Sequence, residues 1–169
     1  FCLRLFNKLL CKLWIFQYLM PVLFAILFYV ARVMPNDQSY LEIVWLVLGS
    51  YLGNLILWAD GALFYPRYNE LQTFPQKLVT RSILFVISFF AAALFILTSS
   101  GSSLGAGIII GLGISLFGEM VVYIRQPQLF QQRFLYQLKR QPSLAELQGY
   151  VVGFGVVLLG LLGLFLFRG

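Results

Sequence analysis

Between Arg81 and Glu119 the chain runs without one charged residue. A stretch of that length cannot be laid over the surface of a water-soluble globule, because its apolar side chains would face water with nothing to cover them. The remainder of the chain agrees. Of 169 residues, 60% are apolar and only 11% charged, and the mean hydropathy is +0.87. Soluble domains carry roughly a quarter charged residues. So little polar surface excludes a soluble enzyme, a disordered tail and a secreted disulfide scaffold. The sequence predicts an all-α, polytopic membrane bundle forming one domain, since helices satisfy every backbone group internally where no water is available.

Uncharged apolar runs predict about five transmembrane helices, near 13–31, 43–59, 82–98, 104–124 and 147–167. The third and fourth come from the single uncharged stretch, divided where Thr98-Ser-Ser-Gly-Ser-Ser103 gathers turn-forming residues. Lys and Arg set the orientation. With the N-terminus cytoplasmic, one side receives Arg4, Lys8, Lys12, Arg67, Lys77, Arg81, Arg125, Arg133, Lys139 and Arg140, and the other only Arg32 and Arg168. That bias suits a plasma or inner membrane, with both long loops inside. Arg4, Lys8 and Lys12 form a basic stripe that reads as a positive flank fixing orientation. The chain begins with Phe1, and a targeting segment ahead of it is left open.

Several chemistries are absent. There is no histidine, and Cys2 and Cys11 lack any metal-binding spacing, so no metal and no cofactor is expected. Either cysteine is placed for S-acylation at a membrane surface. The net charge of +6 is scattered between apolar segments. It fits the anionic face of a membrane, with lipids as partners, and not a nucleic-acid groove.

Within the second inner loop, Phe130, Phe134 and Leu138 recur every fourth position, with Leu129 and Leu135 beside them and Arg133, Lys139 and Arg140 on the polar face. The pattern predicts an amphipathic helix near 128–140, opened by Pro127 and closed by Pro142. Lying in the headgroup layer, it would turn Phe130 and Phe134 into the membrane and offer Arg133, Lys139 and Arg140 to anionic lipid. The alternative is that its apolar face packs on this protein's own bundle. Ser143-Leu-Ala-Glu146 then reads as a capping box opening the fifth span.

Three helices carry G-x-x-x-G: Gly49/Gly53 in the second, Gly107/Gly111 in the fourth and Gly149/Gly153 in the fifth. Missing side chains let helix backbones approach closely, so these are packing seams, within the chain or between chains. On the fourth span Gly107, Gly111, Ser115 and Gly118 share a face; on the fifth Gly149, Gly153 and Gly160 do so. A faint echo joins Leu52-Gly53…Asp60…Tyr65-Pro66-Arg67 to Leu112-Gly113…Glu119…Tyr123…Arg125…Pro127. It suggests a parallel repeat of two helical hairpins.

Two carboxylates stand in or at the edge of a span. Glu119 lies roughly 9 Å deeper than Arg125, and Asp60 closes the second helix. A charge near the bilayer centre costs about 2.5–3.5 kcal/mol, less toward the interface, so each must be paired, neutralised or wet. The structural expectation pairs Asp60 with Arg67, and Glu119 with Arg125 or Arg81. The functional one makes Asn54, Asp60 and Glu119 a polar path. No convergent set of nucleophile and base occurs, and the tryptophans Trp14, Trp45 and Trp58 sit where interfacial anchors belong. The leading expectation is therefore a non-catalytic subunit or scaffold, in a homo-oligomer or a larger membrane complex. The alternative is a small channel or transporter.

Overall fold

The structure is a computed structural model that describes residues 19–28, 40–64, 79–137, 140 and 142–167. Among the described residues six α-helices follow in order: α1 (Met20–Phe28), α2 (Tyr40–Phe64), α3 (Ile83–Phe95), α4 (Ser103–Tyr123), α5 (Pro127–Phe134) and α6 (Leu144–Phe167). No strand occurs among the described residues. Leu41–Asp60, Ser103–Tyr123 and Leu144–Leu166 are long and apolar enough to cross a membrane, whereas Ile83–Ser99 is apolar but shorter. Of the first expected span only α1 and Leu19 fall among the described residues. Arg4, Lys8, Lys12, Arg32, Arg67, Lys77, Lys139, Arg168 and both cysteines lie outside them.

Local chemistry sets the ends. Before α3, Ser82 stays extended and its hydroxyl accepts from the Phe85 N–H at 3.1 Å, while Ser102 accepts from the Gly105 N–H at 3.2 Å before α4. Between them the chain widens into a π-helical turn, Ile96–Ser100, and reverses at Gly101, whose φ of 58° favours glycine. The hydroxyl-rich cluster thus divides the uncharged stretch as expected. The capping box also forms: the Ser143 N–H donates to Glu146 at 2.8 Å, and the Glu146 N–H returns to the Ser143 hydroxyl at 3.3 Å. The second helix is longer than the expected 43–59. Glu42 falls in its first turn, where a carboxylate complements the amino end and does not stop the helix.

α4 is the centre of the bundle, with thirteen of its residues buried. On one side it runs parallel to α2. On the other, Leu158 and Phe89 lie against Gly113, and Phe117 against Gly155, so that α3 and α6 flank it running the opposite way. Phe90 joins those two helices through Phe154, ring centroids 4.9 Å apart. Away from α4 the bundle is apolar: Trp58 is 69% exposed, Leu159 70% and Phe95 67%. Such a surface is stable against acyl chains, not water.

The amphipathic segment differs from expectation. The helix stops at Phe134, short of 140, where Leu135 leaves helical geometry. Phe130 and Phe134 are wholly buried, their rings 4.9 Å apart, with the edge of Tyr150 against Phe130. These rings face the bundle and not the membrane. An aromatic face repeated every fourth residue serves either neighbour equally, and here the bundle covers it, with Tyr150 of α6 against Phe130.

Candidate functional site

The α2–α4 seam is built from absent side chains. A methyl group on Gly49 would fall onto the Leu104 carbonyl oxygen and 3.0 Å from the Gly107 Cα; one on Gly107 would fall onto the Leu46 carbonyl and 3.0 Å from the Gly49 Cα. Gly53 and Gly111 repeat the relation against the Ile108 and Ser50 carbonyls. The shift that carries Gly49 to Gly107 also carries Gly53 to Gly111, Leu46 to Leu104 and Ser50 to Ile108. The two helices therefore meet with local two-fold reciprocity, glycine Cα against opposing carbonyl, a geometry that favours weak Cα–H···O contacts. Gly149 and Gly153, with the same motif, meet nothing within 4 Å, and both are exposed.

Further along the same seam the contacts turn polar. Ser50 donates to its own helix at the Leu46 carbonyl, 2.9 Å away. The Ser115 hydroxyl donates to Oδ1 of half-buried Asn54. Two turns beyond Asn54, at the end that carries the loops, the two carboxylates converge.

Their common partner is Arg81, in the short 3-10 turn Val79–Arg81 that leads into α3. Its Nε and Nη2 donate to the two oxygens of Glu119, each at 2.6 Å, the fork-on-fork geometry of a strong charge-assisted pair. Nη1 stands 3.6 Å from Asp60 Oδ2. That oxygen also accepts from the Thr80 N–H at 3.1 Å and from the Thr80 hydroxyl. Arg81 and Glu119 are each 4% exposed and Asp60 7%, so all three are withdrawn from solvent. One guanidinium thus ties the start of α3 to both α2 and α4.

The expected partners are corrected in part. Glu119 pairs with Arg81 and not with Arg125, which is exposed. Arg125 lies past the end of the helix at Tyr123, in the turn before α5, with its side chain exposed. Arg67 lies outside the described residues. Arg133 lies 4.6 Å over the Tyr123 ring and donates to its hydroxyl, while exposed Arg140 pairs with Glu146. Thr80 and Ser115 were not singled out as polar partners by sequence reasoning. A hydroxyl has no pattern that marks it until its neighbours are known. Among the described residues no three His, Cys, Asp or Glu side chains gather as a metal site.

No protein-family model, curated protein or solved structure matches the chain.

Proposed function

We propose that this protein is an integral membrane subunit or scaffold without catalytic function, associating through α6 as a homo-oligomer or within a larger membrane complex. The observation that carries the reading is a contrast among three G-x-x-x-G motifs. Gly49/Gly53 and Gly107/Gly111 are filled by one another, whereas Gly149 and Gly153 stand open on a helix whose neighbouring positions, Val152 and Val156, are also exposed. A groove of that kind lets a second helix approach to backbone distance. In this reading the chain crosses the membrane five times with its N-terminus cytoplasmic, the short α3 and the segment containing α1 completing the set. The reciprocal α2–α4 seam supports a parallel repeat of two hairpins, although the two carboxylates fall one position out of that register. Lipids cover the remaining apolar surface.

A polar path through Asn54, Asp60 and Glu119 has less support. These side chains are engaged with Ser115, Thr80 and Arg81, and above Asn54 the seam closes to backbone contact. The test is the oligomeric state in native-lipid discs. The wild type should be larger than one chain, or carry a partner. Gly149→Leu/Gly153→Leu should release single chains that still fold. A wild type that is a lone chain, with no crosslinked partner in its native membrane, would remove the proposal.

A further inference from the structure

We propose that Arg133 holds a phosphate group at the loop-bearing end of the bundle, that of a phospholipid headgroup. Two arginines at this end can be compared donor by donor. Arg81 turns its Nε–Nη2 edge to Glu119, whose two oxygens fill it. Arg133 gives Nη1 to the Tyr123 hydroxyl and lays its guanidinium over that ring, 4.6 Å from the centroid. Its own Nε–Nη2 edge is left over. Nε is buried without an acceptor, and no carboxylate among the described residues pairs with the guanidinium. A cationic N–H withdrawn from water is costly to leave unpartnered. The group that satisfies such an edge is an oxyanion, which accepts two parallel bonds from the guanidinium fork. Tyr123 already fixes the plane of that fork, so little freedom is lost when the anion arrives.

The place selects a lipid phosphate. Tyr123 is the last residue of a membrane-length helix, the level at which headgroups lie. Arg133 is half-buried, so its charge is within reach of that layer. Leu129, one turn earlier on the same face of α5, is 46% exposed and offers an acyl chain a contact that a free phosphate cannot use. Arg125, exposed in the turn after Tyr123, adds a second positive charge to the approach. Arg140 does not compete, since Glu146 already holds it. This inference does not rest on the subunit reading, and its readout is independent of oligomeric state.

The test is thermal unfolding of the full chain in maltoside micelles, which contain no phosphate, with Arg133→Gln, Arg133→Lys and Arg140→Gln beside the wild type. A ligand that binds only the folded state raises the midpoint with the logarithm of its concentration. Phosphatidylglycerol should raise the wild-type midpoint further than diacylglycerol, which has the same chains and no phosphate. That difference should vanish in Arg133→Gln and shrink in Arg133→Lys, whose ammonium is a point charge without a fork. Arg140→Gln should keep it. A wild type that does not distinguish the two lipids overturns the proposal, as does an Arg133→Gln variant that responds like the wild type. Equal loss in Arg140→Gln would mean general surface charge and also overturn it. An equal rise with inorganic phosphate alone would overturn the assignment to lipid. Should Arg133→Gln fail to fold, Arg133→Lys carries the comparison.

Discussion

Gly49 and Gly107 face each other Cα to Cα across the α2–α4 seam, each occupying the space that the other's missing methyl group leaves. The contact is backbone on backbone, so nothing at it can turn aside. Gly111→Ala must push α4 away from the Ser50 carbonyl, and overpacking of this kind costs about 1–3 kcal/mol. Gly149→Ala meets open space within its own chain, so on the separated single chain it should leave stability unchanged or raise it. Reversible unfolding in mixed detergent micelles, comparing these two alanines, measures the difference. Equal midpoints would mean that the seam is not the close contact described.

Arg81 serves two carboxylates, so its loss should hurt more than the loss of either. Arg81→Met leaves two buried negative charges and should cost about 3–5 kcal/mol. Glu119→Gln should cost less, because Asp60 already lies 3.6 Å from Nη1 and can take over the guanidinium. The double variant Arg81→Met/Glu119→Met should recover part of the Arg81→Met loss. A double-mutant cycle on unfolding free energies checks the ordering.

Phe130 and Phe134 are core residues by contact, and truncating either to Ala should cost about 3–5 kcal/mol. Exposed Leu129, one position before Phe130, should tolerate Ser within about 0.5 kcal/mol. Were α5 a lipid-facing helix, the phenylalanine substitutions would alter binding to vesicles and leave the unfolding midpoint alone.

The capping box before α6 has a local signature. Ser143→Ala removes the acceptor for the Glu146 N–H and should cost about 0.5–2 kcal/mol. Hydrogen exchange should accelerate in the first turn of α6 and not in the middle of α4. Uniform acceleration would show that the box holds more than its own turn.

Three helices long and apolar enough to cross a membrane were legible because apolar runs, the Ser-Gly turn and the Ser143–Glu146 box are local signals, each carried by adjacent residues. The partners were not. Three G-x-x-x-G motifs look alike in sequence, and only the folded chain distinguishes the two that meet from the one left open. Arg81 stands at the boundary of an uncharged run, where a basic residue is expected for orientation alone. Its role emerges only when α2 and α4 place Asp60 and Glu119 on either side of it. The α5 face was misread for a related reason: Phe130 and Phe134 specify an apolar neighbour without specifying whether that neighbour is lipid or Tyr150.

The parallel course of α2 and α4 has an electrostatic consequence. Their carbonyl ends, each equivalent to about half a negative charge, point the same way, and Asp60 and Glu119 each sit one turn before such an end. Left alone, these two like-directed dipoles repel. The amino end of α3, opposite in sign, enters between them with Arg81 at its tip. The order of synthesis then matters. Arg81 emerges after Asp60 and before Glu119, so one of its two carboxylates is made before it and the other after it. The cluster seen in the finished fold holds both at once, so it is complete only when α4 has brought Glu119 to the guanidinium.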